Sequence, residues 1–312
     1  MADPSSIRGP WLLDPDVVFL NHGSFGATPV DVLAKQDEYR ARMEREPVRF
    51  LVRELEPLLD AARADLARFV GADSDDLAFV PNATAGVNAV LRSLNFRSGD
   101  ELLVTTQEYN ACRNTLEFVA ARSGAAVVVI DLPFPIASAD SVVERIVARA
   151  TPKTRLLLLD HVTSQTALVL PMQQIVAEMS ARGIDTLVDG AHAPGMIPLD
   201  LRVLGAAWYT GNLHKWVCAP KGAAFLFARP DRRAVTRPIA ISHGANSPRT
   251  DRSRFHLEFD WTGTFDPTAW LCVADALRFI PSLVAGGWDE VMRRNHELAV
   301  QGRDIVAAAL GI

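Results

Sequence analysis

Leu187-Val188-Asp189-Gly190-Ala191-His192 and Thr210-Gly211-Asn212-Leu213-His214-Lys215-Trp216, with 26 residues from the aspartate to the lysine, decide the reading of this chain. Each stretch brings an apolar run to a chemically useful polar residue. A carboxylate at the end of one run and an amine just past the next suit pyridoxal 5′-phosphate (PLP). The amine can form a Schiff base with the cofactor's aldehyde, and the carboxylate can keep the pyridine nitrogen protonated so that the ring acts as an electron sink. Lys215 is the candidate catalytic amine and Asp189 the candidate partner of the ring nitrogen. Each also has a plainer reading alone: a solvated lysine after a strand, and a turn or helix-capping aspartate before Gly190.

Outward from this pair, apolar runs predict strands at 77–81, 101–106, 125–131, 155–161, 185–189, 206–210 and 223–228. Several are continuous, as in Arg155-Leu156-Leu157-Leu158-Leu159-Asp160, which is how strands buried on both faces read. Helical periodicity at 84–95, 110–122, 139–149 and 171–182 alternates with them. Strand–helix alternation predicts an α/β fold with a mostly parallel sheet flanked by helices, and Pro171 sits in the first turn of its helix. Asp189 then faces the crevice at the carboxyl ends of the strands, where open α/β sheets bind ligands. Ala83 and Thr84 open a helix directly after a strand. Free N–H groups there can hold a phosphate, or Thr84 can simply cap its own helix. From about 230 to 265 the pattern weakens into Arg, Pro, Ser and His, which reads as a long functional loop. Periodicity returns at 267–281 and 287–309.

The 312 residues are 49% hydrophobic and 22% charged, as in a soluble globular protein. The net charge of −5 argues against general binding to nucleic acid or anionic membranes. Met1–Pro10 lacks the apolar core of a signal peptide, and no apolar run is long enough to span a bilayer. Cys112, Cys218 and Cys272 form neither a disulfide framework nor a zinc spacing. A cytoplasmic location is expected.

The chain resembles the PLP-dependent class V aminotransferase-fold family, closest to its isopenicillin N epimerase-like branch. The likeness is carried by Phe19-Leu20-Asn21-His22-Gly23-Ser24-Phe25-Gly26, Asn82-Ala83-Thr84-Ala85-Gly86-Val87-Asn88, Glu108-Tyr109, Asp160-His161-Val162-Thr163-Ser164, Asp189-Gly190-Ala191-His192, Asn212-Leu213-His214-Lys215-Trp216 and Trp261-Thr262-Gly263-Thr264, in that order. The resemblance implies PLP fold type I with a seven-stranded large domain over 21–265, after an N-terminal segment 1–20. It implies that 266–312 begins a C-terminal small domain, which stops short at Ile312 where relatives continue. It also implies that Lys215 moves the Cα proton of an amino-acid-type substrate and that His192 bonds the cofactor's ring hydroxyl. Tyr109 stacks on the ring, where it would otherwise be an ordinary packed aromatic. Ala83, Thr84, Asn212 and His214 lie at the phosphate, and Ser164 on the cofactor-facing loop. Thr264 reaches the phosphate of a neighbouring subunit, so a homodimer with shared sites is expected. Asn21 and His22 lie near the substrate, although His22 reads equally as a buried structural histidine. Arg49 is a candidate contact for the substrate carboxylate, a role that relatives give to an arginine in the region beyond this chain's end.

Epimerase, aminotransferase, C–S lyase and cysteine desulfurase all start from the same lysine and cofactor, so the reaction stays open here, and a non-catalytic PLP-binding homologue is a further alternative. A metal hydrolase built on Asp189, His192, His161 and His214 has ligands of a suitable type but leaves Lys215 and Tyr109 without a role. No metal is expected. Neither dinucleotide nor P-loop glycine fingerprints occur.

Overall fold

Seven strands form one sheet in the order β1-β7-β6-β5-β4-β2-β3. They are β1 Leu77–Val80, β2 Glu101–Thr105, β3 Ala126–Ile130, β4 Thr154–Asp160, β5 Asp185–Asp189, β6 Trp208–Asn212 and β7 Ala224–Ala228. The computed structural model of the chain describes residues 9–311; most of the stretch Met1–Pro10 lies outside it. β2–β6 pair in parallel, and β7 alone runs against its neighbours β6 and β1. The helices named below are α1 Val30–Arg45, α2 Leu55–Val70, α3 Ala83–Ser93, α4 Asn110–Ser123, α5 Ala139–Val147, α6 Met172–Ala181, α7 Arg254–Phe259, α8 Val273–Ser282 and α9 Gly287–Leu310.

The continuous apolar strands are explained by two cores, one on each face. Leu157, Leu159, Leu103 and Val188 join one core, while Leu156, Leu158, Leu102, Val104 and Leu187 join the other. α3 and α4 cover the second face with Val87, Val90, Leu91, Cys112 and Leu116. Side-chain caps start several helices. The Asn82 side chain accepts from the Ala85 N–H, and Ser138 and Ser141 make a reciprocal capping box.

Two expectations need correcting. β6 runs two residues further than its apolar pattern, through Gly211 and Asn212, because β7 supplies partners as far as Asn212↔Ala224. Glycine and asparagine are poor strand formers, so pattern alone stops early. The segment 230–265 is not a long loop. Ser253 caps α7, and Phe255 and Phe259, four residues apart, enter the core. The ring of His256 bonds the Leu77 carbonyl, so α7 covers the outer strand β1. In the first C-terminal helical stretch, Trp270, Leu271 and Leu277 are 6%, 2% and 8% exposed and join the main core. On α9, Leu298 and Ile305 are exposed. Among the described residues, no helix is long and apolar enough to cross a membrane.

A backbone hydrogen bond ties the stretch before α1 to the lysine loop. The Gly26 N–H donates to the His214 carbonyl at 2.9 Å. A Cβ at Gly26 would run into the Lys215 carbonyl. Gly26→Ala is therefore expected to cost about 1–3 kcal/mol, the usual range for forcing atoms into a packed site. A lower urea midpoint at unchanged slope is the readout.

Candidate active site

The carboxyl ends of β1, β4, β5 and β6 and the turn after β2 surround a cavity of about 670 Å³. It is lined by Asn21, Ala83, Thr84, Tyr109, Ser164, Asp189, His192, Asn212, His214 and Lys215, so ten of the thirteen sequence-predicted site residues meet there. A cleft of this size suits a cofactor and a small substrate.

Asp189 ends β5 and is buried. Its Oδ1 accepts from the Ala191 N–H at 2.9 Å, and its Oδ2 accepts from the Cys112 thiol at 3.0 Å. Burial raises its pKa, opposed by these donors and by the Lys215 charge. Gly190 follows because a Cβ there would run into the Tyr209 ring.

Lys215 comes after β6, with Nζ 3.0 Å from His192 Nε2. Burial lowers the pKa of its amine, against the pull of Asp189, Asp160 and Cys112. Burial, helped by the Lys215 charge, pushes His192 down to about 4, so its ring is neutral at neutral pH and Nε2 can accept from the ammonium.

At the start of α3, two N–H groups are already used. Ala83 donates to the Asn212 side chain at 2.8 Å, and Ala85 donates to Asn82. Asn212 thus fixes the helix end, leaving the Thr84 N–H and hydroxyl to meet an anion. The His214 Nδ1–H donates to the Ala223 carbonyl at 2.9 Å, so Nε2 is left to face a ligand. Burial lowers its pKa first of all; a bound anion would act in the opposite sense.

Tyr109 precedes α4 and is 43% exposed at the mouth, an aromatic face open to a ring. Ser164 sits on the tight turn after β4. There the Leu168 N–H donates to the Thr163 hydroxyl, Thr163 meets Thr166 at 2.7 Å, and Thr166 donates to Gln107.

The remaining three candidates lie outside the cavity lining. His22 packs edge-on against Trp11 and Phe19 and tilted on Trp216, as the structural alternative would have it. Arg49 is exposed and engaged by Glu54 at 2.7 Å. Thr264 is exposed in its turn, away from the cavity of its own chain.

The sequence reading gave no role to Glu108, Asp160 or Cys112. Asp160 could have been found, since it ends β4 as Asp189 ends β5, and the two are register partners. Nothing in the sequence marks the Cys112 contact, which depends on how α4 packs over β5. The histidines of the metal reading do not converge. His161 meets the Tyr209 hydroxyl, His192 meets Lys215 and His214 meets Ala223.

These residues fit PLP. Lys215 offers an amine in the cavity, Asp189 a buried carboxylate, Tyr109 an open aromatic face, and Thr84 with His214 a cradle for phosphate. The buried Trp216 Nε1–H and Asp160 Oδ2 have no partner among the described residues.

The comparisons with known proteins agree. A sequence model of the family described as aminotransferase class-V matches residues 18–311. Isopenicillin N epimerases of Streptomyces clavuligerus and Amycolatopsis lactamdurans are 37% and 40% identical to the chain, over 98% and 96% of it and 79% and 77% of their own length. A probable chloroplastic L-cysteine desulfhydrase of Arabidopsis thaliana is 34% identical over 96% of this chain and 65% of its own. A solved structure of a C-DES lysine-to-alanine mutant, with glycine covalently linked to the PLP cofactor, superposes with a TM-score of 0.78 at 24% identity, covering 89% of this chain and 74% of that one. This structural likeness carries the fold.

Proposed function

The chain belongs to the class V aminotransferase family of PLP-dependent enzymes, and on that premise we propose that it inverts the configuration of an amino-acid-type substrate at Cα, as an isopenicillin N epimerase-like enzyme. When bound, PLP supplies the electron sink that makes the Cα–H acidic. Lys215 holds the cofactor and then moves the Cα proton. Asp189 holds the proton of the ring nitrogen, with its carboxylate fixed by the Cys112 thiol and the Ala191 N–H. His192 orients Lys215 and bonds the ring hydroxyl. Thr84, the α3 N-terminus anchored by Asn212, and His214 take the phosphate. Ser164 and Asn21 border the cofactor and substrate.

The observation that carries this reading is the Lys215 amine, 3.0 Å from a neutral His192 in the cavity that Asp189 closes. The epimerases' higher identity favours inversion over lysis. Cys112, Cys218 and Cys272 are all buried and none lines the cavity, so none of these three is placed to attack a substrate sulfur. The test is to supply PLP and a panel of amino acids in deuterium oxide. Loss of optical purity with deuterium at Cα is expected. Sulfide or keto-acid release outpacing racemisation would move the assignment to a lyase or an aminotransferase.

The proposal includes a cytoplasmic homodimer in which Thr264 completes the neighbour's phosphate site, and a small domain beginning within 266–312. Thr264→Ala should then weaken PLP retention. Mixed with Lys215→Ala, it should regain activity, because one site of the hybrid carries neither lesion. A stable monomer that keeps its PLP would refute the shared site.

A further inference from the structure

Glu108 lies in the turn between β2 and α4, one residue before Tyr109. It is 3% exposed, and both of its carboxyl oxygens lack a hydrogen-bond partner among the described residues. A carboxyl oxygen of Glu108, the Cys112 sulfur and an oxygen of Asp189 all lie within 4.8 Å of one another. Asp160, on β4 beside Asp189, adds a third buried carboxyl, and its Oδ2 is also unpartnered. The titratable groups around Glu108 are therefore Cys112 from α4, Asp160 from β4 and Asp189 from β5. Lys215, after β6, supplies the nearby positive charge, while burial pushes His192 and His161 down to about 4 and leaves them neutral.

Three buried carboxylates packed this closely cannot all stay ionised beside a single ammonium. Donors decide where the charge resides. Asp189 has two, the Cys112 thiol and the Ala191 N–H. Glu108 has none in full hydrogen-bonding geometry among the described residues, and the backbone N–H groups of Tyr109 and Asp160 only weakly favour its charge, so an ionised Glu108 bears most of the cost of leaving water. We propose that Glu108 is held as the neutral acid and is a positioning residue that keeps negative charge on Asp189. The role of Asp189 at the ring nitrogen rests on the preceding proposal; the protonation of Glu108 does not. Burial first, then the charges of Asp160 and Asp189, push the Glu108 acid well above its usual range, against a smaller opposing pull from the backbone N–H groups of Tyr109 and Asp160.

Infrared spectra of the cofactor-free protein at neutral pH test the protonation without any activity. A protonated carboxyl has a C=O stretch distinct from that of carboxylates. The band should be present in the wild type, move when glutamate carboxyls carry heavy carbon, vanish in Glu108→Gln and survive in Asp160→Asn. The labelled wild type gives an answer even if a variant fails to fold. Absence of the band, indifference to the label, or survival in Glu108→Gln would overturn the proposal.

Unfolding supplies the sign. An acid whose folded pKa is raised loses stability as pH climbs from its unfolded pKa to its folded one. The wild type's unfolding constant should thus rise by about tenfold per pH unit relative to Glu108→Gln across that window. A ratio flat with pH would mean an ionised Glu108 and would overturn the idea. Glu108→Gln, still neutral, should also bind PLP as tightly as the wild type, by fluorescence titration. A loss beyond about tenfold, or 1.4 kcal/mol, would refute the charge-keeping role.

Discussion

Lys215→Ala is expected to lose the covalent hold on PLP and about 10²–10⁴-fold in the rate of Cα–H exchange, the scale of a positioned proton-transfer group. The size follows from the surroundings. A solvated lysine is a cation and a poor proton acceptor. Lys215 is part-buried, and burial lowers its pKa although Asp189 and Asp160 pull the other way. More of the amine is therefore neutral when a proton must be taken. Its side chain lines a cavity rather than filling a core, so the variant should fold and melt near the wild type. Lys215→Arg should fare no better, because a guanidinium stays protonated and cannot take a proton. The measurements are the absorbance of the PLP-loaded protein and deuterium incorporation at Cα by mass spectrometry. Exchange within a few-fold of the wild type would assign the proton transfer elsewhere.

Asp189→Asn is expected to fold and to lose about 10²–10³-fold in the same exchange, the scale for removing one preorganised electrostatic partner. The amide keeps the shape of the carboxyl, and its oxygen can still accept from the Ala191 N–H that now bonds Oδ1. The negative charge is what disappears. Without it, the proton on the ring nitrogen loses a charge-assisted bond, the stronger kind, and the electron sink is weakened. PLP uptake should fall less than exchange, because Thr84, His214 and Lys215 are untouched. Near-wild-type exchange in Asp189→Asn would reduce Asp189 to a structural residue.

Much of the fold is legible along the chain because both sheet faces are buried. Runs such as Leu156–Leu159 leave little doubt about a strand, and all seven expected strands fall within two residues of those observed. The exception at the edge of that range, β6, ends in Gly211 and Asn212, whose strand character comes from the partner β7 and not from their own preference. Asp189 at the end of β5 and Lys215 three residues past β6 are legible for the same reason. What stays hidden depends on partners distant in sequence. Nothing local tells that Gly26 touches the lysine loop, that Cys112 bonds Asp189, or that α7 covers β1. Glu108 is the sharpest case. A glutamate beside a turn reads as solvated, and only the packed structure shows a buried carboxyl whose oxygens find no well-formed hydrogen bond among the described residues.

The most direct measurement is borohydride reduction of the PLP-loaded protein followed by peptide mapping. The chain has four lysines, Lys35, Lys153, Lys215 and Lys221, so the outcome is unambiguous. A PLP enzyme that works through Lys215 should carry the reduced cofactor on the peptide containing Lys215 and on no other. A label on Lys35, Lys153 or Lys221, or no label at all in a protein that has bound PLP, would contradict it.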